Sequence, residues 1–318
     1  PIIIAKVSCR CYTPRTMKTF VLIDGNAIFH RAFHALPLFK TSKGEYTNAI
    51  YGFLKMFLEI LRQKKPDYVA VAFDRAAKTF RHIEYSEYKA TRPPPPEELY
   101  PQLPRLKEAL SMLKVPIFEL DGYEADDILG TIAEKVTTEP DMQTLIVTGD
   151  KDAFQLVTDK IHVITPLKGM SEAVEYTPEK IKEKTGLSPE QIVDYKALKG
   201  DSSDNIKGIN GIGEKQAVAL LQKYHDLENI YCHLDELTKS QQKKFTEGRE
   251  NALFSKKMAT IVREVPIIFD LEECRYRQFS YDDLKALFES LEFKTLLKQF
   301  SDYAGTMENI QPEQQSLF

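Results

Sequence analysis

The chain has 318 residues, of which 42% are hydrophobic and 28% charged, and its net charge is −4. These values predict a soluble globular protein with a substantial core and room for two domains. No apolar run approaches the roughly 18 residues needed to cross a bilayer, which argues against a membrane protein. The four cysteines form no paired CxxC motif, so we expect reduced thiols, no zinc site and a cytoplasmic location.

The chain begins at Pro1, and Met17 stands directly before the first convincing strand. Residues 1–16 are a poor signal peptide because their apolar stretch is short and contains Lys6. We interpret them as upstream read-through or a truncated start.

Apolar runs rich in β-forming residues predict strands at residues 19–23, 68–73, 115–118 and 144–148, and an amphipathic helix begins at Asn48. Strands that alternate with helices predict a parallel sheet covered on both faces. Just past the strand ends lie four acids: Asp24, Asp74, Asp150 and Asp152. One such acid is usually a turn residue, but four at the ligand-binding edge of a sheet indicate one common site.

Three further carboxylates, Glu124, Asp126 and Asp127, lie within four residues at the start of a predicted helix. One or two acids there would complement the helix dipole. Three raise one another's pKa unless a cation neutralises them. We therefore expect these acids and the strand-end acids to bind metal together.

Residues 78–96, which we call the arch segment, combine basic and aromatic side chains with a run of four prolines. Such a composition suits single-stranded nucleic acid, since cations reach phosphates and rings stack on bases. A solvated loop, in which Glu84 and Glu87 partly cancel the charge, is the alternative.

After residue 185 the β-branched runs give way to short helices with glycine turns, which predicts a domain boundary there. Asp201 and Asp204 precede the loop Gly208–Gly213, which opens a helix predicted at residues 216–223. Gly-rich loops at helix N-termini present N–H groups to phosphate, so we expect this loop to bind duplex backbone. Residues 301–318 are polar and read as a linker or tail.

In chain order, the motifs LIDGN, AFD, YEADD, TGDKD, KGDSSDNI and GINGIGEKQA resemble the 5′-nuclease (flap endonuclease-like) domain of bacterial DNA polymerase I, over about residues 18–300. The resemblance implies a PIN/resolvase-like α/β domain at residues 17–185, with the arch at about 78–96. It also implies a helical helix-hairpin-helix (H3TH) subdomain at residues 186–300.

The same resemblance implies two Mg²⁺ ions, with Mn²⁺ as a substitute, and K⁺ at the hairpin turn. The family's acids around the first ion match Asp24, Asp74, Glu124, Asp126 and Asp150. Those around the second ion match Asp152, Asp201 and Asp204, and Asp127 also belongs to the cluster. Candidate catalytic residues are Lys89, Arg92, Asp126 and Asp150. Candidate DNA contacts are Lys78, Phe80, Arg81, Tyr88, Lys89, Arg92, Gly208, Gly211, Gly213 and Lys215.

The expected function is a metal-dependent 5′→3′ exonuclease and 5′-flap endonuclease of Okazaki-fragment processing and excision repair, in the bacterial cytoplasm at the nucleoid. Its expected partner is branched or nicked duplex DNA with a 5′ single-stranded flap. A PIN-like ribonuclease is disfavoured by the hairpin and by the complete pair Asp201 and Asp204. A non-catalytic DNA-binding module would be indicated by missing acids, and none is missing.

The C-terminal peptide resembles those that dock on the bacterial sliding clamp, through Gln314, Leu317 and Phe318. The alternative is that this C-terminal end is simply disordered. Relatives of this family usually continue into polymerase domains, so we expect such domains in cis if the chain is a fragment; a free-standing nuclease is the alternative.

Overall fold

The computed structural model describes residues 17–167, 169–276 and 281–308. Within these ranges, six strands form one sheet in the order β3-β2-β1-β4-β5-β6. They are β1 (Lys18–Asp24), β2 (Tyr68–Ala72), β3 (Ile117–Phe118), β4 (Met142–Val147), β5 (Ile161–Leu167) and β6 (Gly169–Tyr176). The first five pair in parallel, and β6 pairs antiparallel with β5. The four predicted strands are confirmed, although β3 is only two residues long; β5 and β6 were not predicted.

The helices lie mostly between the strands and after them. They are α1 (Gly25–Ala35), α2 (Asn48–Lys64), α3 (Phe80–Glu84), α4 (Leu103–Met112), α5 (Ala125–Thr137), α6 (Pro178–Thr185), α7 (Ile192–Lys199), α8 (Glu214–Tyr224), α9 (Leu227–Cys232), α10 (Lys239–Glu247), α11 (Arg249–Ala259), α12 (Tyr281–Ser290) and α13 (Lys294–Glu308). Single 3₁₀ turns occupy Tyr100–Gln102, Asp152–Leu156, Pro189–Gln191, Leu234–Glu236 and Glu272–Cys274. In the part of the chain that is described, no helix is long and apolar enough to cross a membrane.

Strand β1 is the centre of the molecule because it pairs with β2 on one side and β4 on the other. Its alternate side chains enter two separate cores, as the pleat of a strand requires. Phe20 and Leu22 pack in one core with α5 and α7 to α11, whereas Val21 and Ile23 pack in the other with α1, α2, α4, α12 and α13. A strand buried on both faces explains why this run is continuously apolar.

The first core continues into the helical part of the chain. Leu198 of α7, Ile212 of the glycine loop and Phe245 of α10 belong to the same buried cluster as Phe20. The helical part therefore shares one hydrophobic core with this face of the sheet. The predicted leader at residues 1–16 and the candidate clamp peptide lie outside the described residues.

Candidate active site

Five of the predicted metal ligands meet at the carboxyl edge of the sheet. Asp24 ends β1, and Asp74 and Asp150 follow the neighbouring strands β2 and β4. Glu124 and Asp126 stand at the N-terminus of α5, whose first amide, that of Ala125, donates to Asp74 Oδ1 at 2.6 Å. These five acids line one cavity of about 750 Å³. The structure therefore brings together the acids at the strand ends and those at the start of α5, as the sequence analysis expected.

The electrostatics of this group indicate that a cation belongs in it. Asp24 is 4% exposed, and it accepts hydrogen bonds from the Ala27 amide at 2.9 Å and the Thr148 hydroxyl at 2.6 Å. Burial, together with the charges of Asp74 and Asp150, nevertheless raises its pKa to about 7. Burial and the charges of Asp24 and Asp150 also raise the pKa of Asp126 well above its usual range. Carboxylates that repel one another in a buried pocket match the donor set that a hard divalent cation prefers.

A second group of acids lies next to the first. Asp152, Asp201 and Asp204 offer oxygen atoms that all lie within 4.8 Å of one another. Lys196 of α7 bridges two of them: its Nζ contacts Asp152 Oδ1 and donates to Asp201 Oδ2 at 2.6 Å. Although burial raises the pKa of Asp201, the Lys196 ammonium and the hydrogen bonds from Ser203 bring it down to about 2. The sequence analysis missed Lys196; its signal was a basic residue on the helix that leads to Asp201.

The arch segment lies directly against both acid groups. Lys89 Nζ donates to Glu124 Oε1 at 2.8 Å, and Arg92 Nη2 donates to Asp204 Oδ1 at 2.6 Å. The Tyr88 hydroxyl lies 3.1 Å from both Glu124 Oε2 and Asp204 Oδ2. Lys89 itself adopts a left-handed backbone (φ 56°), and its amide donates to the Asp204 carbonyl oxygen at 3.1 Å. The two candidate catalytic cations are thus held at the acid pocket.

Arg81 and Asp127 are buried and paired with each other. Arg81 is 3% exposed and Asp127 is 0% exposed. Their two bonds, of 2.7 and 2.8 Å, join the guanidinium to both carboxylate oxygens, and the guanidinium also lies 3.4 Å from Glu124 Oε2. Asp127 also accepts the amides of Val262 at 2.8 Å and Glu124 at 3.1 Å, which fills its remaining acceptor positions. The DNA contact expected of Arg81 and the metal-binding role expected of Asp127 stay predictions.

The other candidate DNA contacts in the arch segment differ in how exposed their side chains are. Lys78 is exposed, and the half-buried ring of Phe80 contacts the Tyr123 ring at 6.1 Å between centroids. Tyr88 is only 4% exposed, and its ring packs in a cluster with Ile206 and Met258. The expected stacking of Tyr88 on an unpaired base would therefore require the arch segment to move.

The glycine loop also divides into two parts. Gly208 is buried at φ 62°, where an added Cβ would lie 2.3 Å from the Gly200 nitrogen, so only glycine fits this packing position. Gly211, Gly213 and Lys215 are exposed at the start of α8. The structure thus leaves these three free to meet a ligand from solvent, whereas Gly208 shapes the loop.

A second cavity, of about 830 Å³, extends from Asp150 and Asp152 to Glu214 and Val218 of α8. Basic side chains line it: Arg31, Lys151, Lys184, Lys196 and Lys199. The sequence analysis identified only the acids Asp150, Asp152 and Asp201 of this surface, because its basic residues come from separate elements. The cavity joins the acid pocket to the start of α8, and its basic side chains are the groups that would attract a polyanion there.

Two family models together match most of the chain. Residues 19–186 match the 5′-3′ exonuclease N-terminal resolvase-like domain, and residues 187–282 match the 5′-3′ exonuclease C-terminal SAM fold. DNA polymerase I of Bacillus subtilis (strain 168) is 42% identical over 295 residues, which are 92% of this chain and 33% of that protein. DNA polymerase I of Caldicellulosiruptor bescii is 44% identical over 281 residues, 88% of this chain and 33% of that protein. The chain spans about a third of the length of these relatives.

Solved structures share the fold. The D15 flap endonuclease of bacteriophage T5, in a complex with DNA and metal ions, has a TM-score of 0.64 at 19% identity and covers 91% of this chain and 100% of its own. The catalytic core of Rad2 in complex with DNA has a TM-score of 0.53 at 14% identity and covers 86% of this chain and 88% of its own. The matches confirm the predicted α/β nuclease fold with a helical C-terminal subdomain.

Proposed function

Because this chain belongs to the 5′-3′ exonuclease family, we propose that it hydrolyses DNA phosphodiesters both as a 5′→3′ exonuclease and as a 5′-flap endonuclease. The supporting observation is the convergence of two acid groups between the arch segment and a basic cavity that leads to the glycine loop. Its substrate is duplex DNA with a nick or a 5′ single-stranded flap, as arises in Okazaki-fragment processing and excision repair. We assign residues 17–185 to the nuclease domain and 186–300 to the DNA-binding subdomain.

Two divalent ions, Mg²⁺ or Mn²⁺, suit the donor set of this site. Asp24, Asp74, Glu124, Asp126 and Asp150 would hold one ion, and Asp152, Asp201 and Asp204 the other. We leave Asp127 out of the ligand set because Arg81 and two amides occupy its oxygens. When bound, such ions generate a nucleophilic hydroxide from water at neutral pH and offset charge on the reacting phosphate.

Lys89 and Arg92 are the side chains that would meet the scissile phosphate. In this structure their charges are paired with Glu124 and Asp204 at 2.8 and 2.6 Å. Metal ions held by these acids would offset the acids' charge, so that Lys89 and Arg92 could pair with the phosphate instead. Preorganised donors of this kind stabilise the negative charge that develops in the transition state.

The glycine loop and the basic cavity would hold the duplex. The exposed amides at Gly211 and Gly213, with Lys215, face solvent at the N-terminus of α8, where backbone N–H groups favour phosphate. A K⁺ ion at this turn would add to that attraction. Contacts of this kind read shape and charge, so base identity should matter little.

The proposal is tested by cleavage of a labelled 5′-flap duplex in Mg²⁺. Asp126→Asn and EDTA should each abolish cutting near the flap junction, and Lys89→Ala should reduce the rate by about 100-fold or more. Lys55→Ala, which changes an exposed lysine of α2, is the matched control and should cut normally. DNA binding without cutting under any divalent ion would instead make the protein a recognition module.

Two further partners belong to this proposal. The relatives named above are polymerases, which supports polymerase domains acting in cis on the nick that the nuclease processes. The sequence of Gln314, Leu317 and Phe318 supports docking on a sliding clamp, and a short apolar tether of this kind raises the local enzyme concentration at DNA. Clamp binding that survives deletion of residues 314–318 would refute the second partner.

A further inference from the structure

Lys196 occupies the centre of the second acid group rather than its rim. Its Nζ contacts Asp152 Oδ1 and lies 2.6 Å from Asp201 Oδ2, and the side chain is 12% exposed. The two acids come from different segments, one after β4 and one after α7. A single ammonium therefore joins the sheet edge to the helical part of the chain at the place where a shared metal ion would join them.

The hydrogen bonds of Asp201 show that the ammonium and a metal ion would compete for the same oxygen atoms. Asp201 Oδ1 already accepts the amide and the hydroxyl of Ser203, at 2.9 and 2.6 Å. The less occupied oxygen is Oδ2, and Lys196 donates to it. A divalent ion that took ligands from Asp152 and Asp201 would therefore lie close to the ammonium, and two cations at short separation repel each other.

We propose that Lys196 is the resident counter-ion of the second metal site, which a divalent ion must displace before that site fills. The inference rests on the two-metal function proposed above. It makes the Asp152–Asp201–Asp204 site the weaker of the two, because binding there includes the cost of breaking two ion pairs. In the first site, among the described residues, cations pair with only one of the five acids, Glu124, through Lys89 and Arg81.

The displaced ammonium has a defined destination. Lys196 lines the basic cavity of about 830 Å³ together with Arg31, Lys151 and Lys199. Occupation of the second site thus moves one positive charge into the surface that would hold the DNA backbone. By linkage, DNA in this cavity draws the ammonium away from the acids and tightens the second metal ion by the same factor.

The experiment is a titration of the DNA-free protein with Mn²⁺, in which electron paramagnetic resonance measures the free ion. Wild type should bind one ion tightly and a second weakly. Lys196→Met should tighten the second ion by about tenfold, the scale of a coupling free energy between two sites. Lys199→Met is the matched control: it removes the same charge from the same helix and cavity, but its ammonium pairs with Tyr195 and Glu214 at 3.1 and 3.4 Å. It should tighten the second ion by less than about twofold.

Each outcome separates the two proposals. If the second ion binds Lys196→Met no more tightly than it binds wild type, the inference is overturned. Lys196 would then either have no effect on metal binding at the second site or help to position its acids as ligands. Wild type that binds fewer than two ions refutes the two-metal function itself. Circular dichroism and urea unfolding in EDTA check the fold of both variants. If Lys196→Met does not fold, Lys196→Gln, which keeps hydrogen-bond donors without the charge, undergoes the same titration and decides the question.

Discussion

Arg81 joins three parts of the molecule from a position that solvent does not reach. Besides the paired bonds to Asp127, its Nε donates to the Met258 carbonyl oxygen at 3.0 Å and its Nη2 to that of Thr260 at 2.7 Å. These contacts link α3 at the base of the arch segment to the start of α5 and the end of α11. Replacement of Arg81 by methionine keeps the apolar stem but removes all of these hydrogen bonds.

The expected loss of stability follows from what remains behind. Asp127 is 0% exposed, so Arg81→Met leaves a buried carboxylate without its counter-charge, which costs about 3–5 kcal/mol of unfolding free energy. Asp127→Asn in the same chain removes that charge and keeps an acceptor oxygen for one of the two amides, which bond to different oxygens of Asp127. The double variant should therefore recover part of the loss. A pair exposed on both sides is different: the side chains of Lys257 and Glu84 are 59% and 37% exposed, so Lys257→Met should cost less than about 1 kcal/mol.

Urea unfolding in EDTA, followed by circular dichroism, measures wild type and all four variants in the absence of metal. The linear extrapolation gives each free energy, and the double-mutant cycle isolates the pairwise contribution. Equal losses from Arg81→Met and Lys257→Met would refute the reasoning, because burial would then not decide the cost. If the double variant lost more unfolding free energy than the two single variants lose together, the role given to the uncompensated charge would be refuted.

Three other predictions use the same unfolding and labelling methods. In metal-free protein the pKa of Asp24 is raised from 3.8 to about 7, so the folded state binds this proton more tightly than the unfolded chain does. The stability of wild type relative to Asp24→Asn should therefore fall as pH rises from about 4 to about 7; unfolding midpoints in EDTA across that range check the sign. Gly208→Ala should lose about 2 kcal/mol or more, because its Cβ would meet backbone at 2.3 Å with φ at +62°. Gly213→Ala, where nothing lies within 4 Å, should change stability by less than about 0.5 kcal/mol; comparable losses in urea would contradict the assignment of the two glycines. Burial raises the pKa of the Cys274 thiol to about 12, so in a variant without the cysteines of residues 1–16 a thiol reagent at pH 8 should label exposed Cys232 and spare Cys274; rapid labelling of two thiols in the folded protein would show that Cys274 is accessible.

The sheet and its acids were predictable because both rest on local patterns. Apolar runs mark buried strands, and the carboxyl ends of neighbouring parallel strands must meet, which places Asp24, Asp74 and Asp150 together. β6 escaped prediction because Gly169–Tyr176, at the edge of the sheet, mixes polar residues such as Glu172 and Glu175 with apolar ones in no regular alternation. It forms no continuous apolar run of the kind that identified the central strands.

The partners of individual charges could not be predicted. Asp126 and Asp127 are adjacent and chemically identical, yet successive residues on a helix point about 100° apart. One therefore faces the acid pocket and the other faces Arg81, which is 46 residues away in sequence. Lys196 likewise meets Asp152 only because α7 packs beside the turn that follows β4. Sequence shows which charges exist, whereas packing of distant segments decides which of them neutralise each other.

The acids of this site come from five separate stretches of chain, from Asp24 to Asp204. The segment after the last stretch is held from further along, since the Gly208 amide donates to Ser255 Oγ at 3.3 Å, and the arch segment is tied to the same region by Arg81, which donates to the carbonyl oxygens of Met258 and Thr260. During synthesis on the ribosome, the early segments emerge long before the residues that complete this arrangement. A growing chain thus completes the proposed site only after about residue 260 has left the exit tunnel.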